Sequence, residues 1–183
     1  MTTRRPQRAR DPEARRAALA EAAMEVIAEN GVGRTTHRAV AARAGLPLGA
    51  TTYYFPTLDD LIAAGLRHAL DTLQADLRLW DERLRNAPDM PEALTDLAQE
   101  YLKDRRQVRI EYELCVSAAR DTALRPLATA WMDGVPDMLE PTIGLDAARD
   151  VCAVLDGFIL RALATDTELD TARLAAAIRN LSS

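Results

Sequence analysis

The amino-acid sequence predicts an all-α chain of about nine helices, three of them packed into the first 55 residues. Three observations carry that prediction. Ala, Leu, Arg and Glu dominate the composition, and all four are strong helix formers. Aromatic residues make up 4% and there are 8 Gly, too few of either for a large β-sandwich with its turns. Apolar residues recur at spacings of three and four along most of the 183 residues.

Each element has its own signals. Residues 1–10 are polar and Arg-rich, and the expectation is a basic, disordered arm. Asp11 and Pro12 then offer a helix start. Leu19, Ala22, Ala23, Val26 and Ile27 form one buried stripe, and Asn30-Gly31 ends it. Thr35-Thr36 supplies a cap for a short helix through Ala44, and Gly45 breaks that helix. A second short helix runs from about Pro47 to Tyr54. From Leu58 to about Arg85 the series Ile62, Leu66, Ala69, Leu70, Leu73, Leu77, Trp80 and Leu84 predicts one long amphipathic helix, with a kink expected at Gly65. Further helices are expected over about 91–103, 105–120, 123–139, 146–165 and 168–181, with Pro136 kinking or splitting its helix. The domain reading is an arm (1–10), a helix-turn-helix domain (11–57) and a larger helical domain (58–183).

The charge is unevenly spread. The net value is −5, yet residues 1–70 carry 10 Arg against 7 acids, so the remainder is strongly acidic. A basic head on an acidic body fits a polyanion-binding module with an attached domain, and it equally fits a solvated tail. Cys115 and Cys152 form no zinc-finger or C-x-x-C spacing, and at this length no disulfide staple is needed. No apolar run approaches the roughly 20 residues that span a bilayer, and the basic start lacks an apolar segment behind it. The expectation is a cytoplasmic protein without a membrane partner.

Residues 36–55 follow a helix, Gly-containing turn, helix plan. Val40, Ala41, Ala44, Leu46, Thr51 and Phe55 can pack the two helices together. Leu48, Gly49, Ala50, Thr52, Tyr53 and Tyr54 then project outward, on a helix whose diameter fits the B-DNA major groove. Three of the eight aromatics fall at 53–55, and tyrosine hydroxyls beside a helix are good phosphate donors. An ordinary helical hairpin has the same outline.

The stretch 13–66 resembles the DNA-binding domain of tetracycline-repressor (TetR) family transcriptional regulators. The resemblance rests on the first helix ending in Asn30-Gly31, the Thr35-Thr36 start, Val40-Ala41 with Arg43-Ala44-Gly45-Leu46, and Gly49 followed by Tyr54-Phe55-Pro56-Thr57 and Asp59-Asp60-Leu61. It implies that Arg38 reaches a base edge and that Leu48, Gly49 and Ala50 form the base-facing start of the recognition helix. It implies phosphate-side roles for Thr36, His37, Thr52, Tyr53 and Tyr54, and a buried closing role for Phe55. The chain departs from the family pattern at Pro47, where Ser is usual, at Thr52, where the common Tyr falls, and at Leu58, where a phosphate-binding Lys is common. The N-terminal arginines could compensate along phosphates or in the minor groove.

Other chemistry finds little support. His68 lacks a Glu at i−3, and no phosphate-binding, dinucleotide or nucleophile-elbow motif occurs, so no enzyme, metal or cofactor is expected. Trp80, Tyr101, Tyr112, Cys115 and Trp131 could line a small-molecule cavity or serve as core. Leu155, Phe158, Ile159 and Ile178 lie on apolar stripes of the last two helices, which pack within the chain or, as the resemblance implies, against a second copy. The resulting expectation is a homodimeric, ligand-responsive regulator, most simply a repressor, that binds a palindromic operator on double-stranded DNA and is released by a small-molecule effector. The alternative is a helical small-molecule-binding protein or enzyme without DNA binding.

Overall fold

Helix α1 (Pro12–Asn30) begins where the Asp11 carboxylate accepts a hydrogen bond from the Glu13 amide at 2.9 Å, with Pro12 in the first turn. Gly31 ends it at a φ of 77°, a conformation that favours glycine. A 3₁₀ turn, Val32–Arg34, leads to α2 (His37–Ala44). The Thr36 hydroxyl caps α2 by accepting from the Ala39 amide at 3.1 Å. Gly45, at a φ of 63°, closes it, and the Gly45 and Leu46 amides return to the carbonyls of Ala42 and Ala41. Helix α3 (Leu48–Tyr54) follows Pro47, which offers no side-chain cap.

The computed structural model describes residues 11–182, and the expected basic arm at 1–10 lies outside them. Among the described residues six more helices follow: α4 (Leu58–Arg85), α5 (Met90–Tyr101), α6 (Arg105–Ala118), α7 (Arg125–Ile143), α8 (Leu145–Thr165) and α9 (Thr171–Leu181). No described helix is long and apolar enough to cross a membrane.

The chain divides into two units, one of residues through 69 together with 110–124, the other of 70–109 and 125 onward. Two of the three divisions fall inside helices, α4 and α6, and the third falls just before α7. The first unit thus extends past residue 57, the boundary read from the sequence. The reason is packing: Leu61 joins Leu19, Ala23, Val26, Val40 and Phe55 in one buried cluster. Full burial of a side chain this size contributes roughly 1.5–3 kcal/mol. Gly65 then lets α4 lie against α1, since a Cβ there would stand 2.8 Å from the Met24 backbone nitrogen. Close approach of α1 thus gives Gly65 a requirement that the sequence did not show.

In the second unit α7 packs on α8, and α9 packs on both α5 and α8. Asp89 caps α5 by accepting from the Glu92 amide at 3.0 Å, and also accepts from Arg179 of α9 at 3.1 Å. Arg105 donates to the carbonyls of Ala162 at 3.2 Å and Thr167 at 2.7 Å, placing a cation at the C-terminal end of α8, where the helix dipole favours positive charge. Helix α7 contains Pro136 and Pro141 yet runs on as one helix, so the chain is not split at Pro136. Pro136 is buried, so packing holds the helix through a position that has lost its own N–H.

Candidate nucleic-acid interface and effector cavity

The helix-turn-helix is fixed from within. Thr51 is fully buried and its hydroxyl donates to the Leu48 carbonyl at 2.7 Å. Phe55 is buried beneath the Arg16 guanidinium, which lies 5.2 Å from the ring centroid. Arg43 of α2 donates to Glu25 at 2.8 Å and also pairs with Glu29, so one guanidinium ties α2 to α1. Those bonds, Glu29 first and then Glu25, hold the Arg43 proton more tightly than usual. Glu113 of α6 accepts from the Val32 amide at 3.3 Å, which steadies the turn before α2. None of these four ties was read from the sequence. Arg43 was noted as part of a pattern, but its acidic partners sit 14 and 18 residues away, on another helix.

With the inner face so occupied, the outer face is free. Thr36, Arg38, Leu48, Gly49, Thr52 and Tyr53 are exposed, and His37, Ala50 and Tyr54 are half-buried. All nine belong to α2, its cap or α3. Tyr53 is 78% exposed and meets Tyr54 edge to face at 5.0 Å between ring centroids. The arrangement offers hydroxyls, one guanidinium and a small apolar patch to a partner surface.

The second unit holds a small cavity of about 40 Å³. Trp80, Tyr101 and Trp131 line it, together with Met132, Cys152 and Asp156. Burial, and then the neighbouring Asp156 charge, pushes the Cys152 thiol up to about 12, so the thiol stays protonated and inert. Tyr112 and Cys115 do not line this cavity; they lie on the part of α6 that belongs to the first unit.

The apolar stripes of α8 and α9 are also placed differently from one sequence reading. Leu155, Ile159 and Ile178 are buried within the chain itself, and Phe158 is half-buried beneath Arg173, whose guanidinium lies 5.9 Å from its ring. The strongest stripe serves the chain's own core. The exposed apolar and small positions of these helices are Ala153, Gly157, Leu160 and Ala164 on α8, and Ala172 and Ala176 on α9, beside exposed polar residues such as Arg149, Asp150, Arg161 and Arg173.

Comparison with known proteins places this geometry. Residues 19–64 match the model of the tetR family of bacterial regulatory proteins, and residues 85–183 match the tetracyclin repressor-like C-terminal domain. The chain belongs to the TetR family. Its TetR-type fold superposes on the multidrug binding protein EbrR complexed with imidazole at a TM-score of 0.81, with 39% identity over 99% of this chain and 95% of that one. EbrR has also been solved with proflavin, ethidium and malachite green. A TetR-family member from Streptomyces coelicolor A3, SCO1917, is 38% identical over 92% of this chain and 98% of that one, with a TM-score of 0.82. The HTH-type transcriptional regulator PksA of Bacillus subtilis (strain 168) is 44% identical over 57 residues, a stretch spanning 31% of this chain and 28% of PksA. In kind, the TetR-family chain is a ligand-responsive, DNA-binding transcriptional regulator.

Proposed function

We propose that the chain acts as a cytoplasmic homodimer that represses transcription from a palindromic operator and leaves it when a small organic effector binds. The observation that carries this reading is the exposed face of α2 and α3, with Tyr53 78% open to solvent. Arg38 reads a base edge, Leu48, Gly49 and Ala50 meet the major groove, and Thr36, His37, Thr52, Tyr53 and Tyr54 hold phosphates. One seven-residue helix touches too few bases for high specificity, so two copies about one helical turn apart are required. The exposed small residues of α8 and α9 suit a four-helix contact between copies, because small side chains let helices approach closely.

The effector belongs in the cavity at Trp80, Tyr101 and Trp131. Similarity to EbrR, solved with proflavin, ethidium and malachite green, supports flat aromatic cations as the class. Aromatic faces and the Asp156 carboxylate both attract such ligands. The effector acts by binding one conformation better than another, and only that difference can release DNA.

Selection of genomic fragments with the purified protein tests the reading, the expected product being a palindrome. Arg38→Ala should then cost roughly 1–3 kcal/mol of operator affinity and relax preference at one base pair of each half-site. An unaltered base profile in operator titrations removes Arg38 from the readout.

A further inference from the structure

We propose that the effector site has two compartments: an acidic cleft between α4 and α5 first captures an organic cation, which then passes the Trp80–Tyr101 ring pair into the inner cavity. This rests on the effector class proposed above and adds the route, an outer binding position and the residues that select for charge.

The argument begins with volume. The inner cavity offers about 40 Å³, space for little more than a water molecule. Drug-sized ligands occupy sites of roughly 300–1,000 Å³. The cleft beside it offers about 960 Å³. A ligand of this class therefore fits the cleft before the inner cavity has opened, and the first stable encounter takes place outside.

Charge points the same way. Asp76, Glu82, Asp96, Glu100 and Asp104 line the cleft against a single guanidinium, that of Arg83. Arg83 of α4 donates to Glu100 of α5 at 2.6 Å, so this pair straps the two helices across the cleft and satisfies itself. Asp76, Glu82, Asp96 and Asp104 remain to set the field, Asp104 while also accepting from the Gln107 amide. A concave acidic wall concentrates cations and accelerates their capture.

The third observation joins the compartments. Trp80 and Tyr101 line both the cleft and the cavity, so the two rings stand between them. They meet edge to face, 5.6 Å between centroids at an interplanar angle of 88°. A cation in the cleft can rest on an aromatic face, and the same faces receive it once the pair has parted. Capture, passage and final binding thus share two side chains.

Stopped-flow fluorescence with ethidium at low ionic strength tests the route. The variant carries Asp76→Asn, Glu82→Gln and Asp96→Asn, isosteric changes on the cleft wall whose integrity a thermal melt verifies. Its association rate should fall about tenfold, the lower end of what electrostatic steering supplies, and lose most of its salt dependence. Its dissociation rate should match the wild type. Trp80→Ala, which removes the partition, should raise both rates. Wild-type association and salt dependence in the triple variant overturn the cleft as the route. A wild-type chain that binds none of ethidium, proflavin and malachite green overturns the effector class and this proposal with it, a result visible before any variant is compared.

Discussion

Gly65 and Gly134 both sit inside helices, where glycine costs about 1 kcal/mol relative to alanine. They differ in what a methyl group would meet. At Gly65 a Cβ would lie 2.8 Å from the Met24 backbone nitrogen and 3.0 Å from the Ala23 Cβ, so α1 itself would have to move. At Gly134 it would meet only the Cδ1 end of Leu77, at 2.7 Å, which a rotamer change can clear. Gly65→Ala should therefore destabilise the chain by about 1–3 kcal/mol, as overpacking does. Gly134→Ala should be neutral or stabilise by up to about 1 kcal/mol. Urea unfolding of the two variants beside the wild type checks both signs. Periodicity could place Gly65 within a helix but could not show the neighbour that demands it, and the same blindness hid the Arg43 tie to Glu25 and Glu29.

Asp89 works at the scale of elements, because one carboxylate both caps α5 and anchors α9 through Arg179. The Glu92 amide and then the Arg179 guanidinium hold its pKa below the ordinary 3.8. A lowered folded pKa means that the folded chain binds fewer protons than the unfolded one. The contribution is complete above the unfolded value and is lost as the pH falls below it through the folded one. Asp89→Ala should lower the melting temperature at neutral pH, and the gap to wild type should close below pH 3.8. Melting curves across pH 2–7, an ordinary acid range, check this, and a gap that persists in acid would assign Asp89 a different role. Helix starts and stops were largely legible because capping is local: Asp11, Thr36 and Gly45 each act within a few residues of the chain. Pro136 misled for the opposite reason. Local chemistry argues for a break there, and burial of the proline in the packed second unit overrides it.

At the scale of the proposed dimer, two helices are to present a face to a second copy. Leu160 is 49% exposed on α8, in line with Ala153, Gly157 and Ala164. Leu160→Asp should place like charges across that contact, leave the monomer folded and yield a monomer that no longer retains operator DNA. Sedimentation together with a gel-shift titration checks this, and a dimer of undiminished affinity would move the contact elsewhere. Apolar pattern alone pointed to Leu155, Ile159 and Ile178, because periodicity shows which face is covered and not what covers it. The exposure of the outer helix-turn-helix face was more legible, since Leu48, Thr52 and Tyr53 fall off the packing stripe of their short helix. Trp80, Tyr101 and Trp131 come together at one cavity while Tyr112 and Cys115 do not, a difference of tertiary placement that residue type cannot carry. That cavity's 40 Å³ has a consequence for dosage. If the effector enters this cavity as proposed, it must first be given room, and the work of making that room is subtracted from its affinity. On the proposed reading, the switching concentration depends on how readily the side chains packed around this chamber, Leu73 and Ile159 among them, give way, as well as on the contacts they then make.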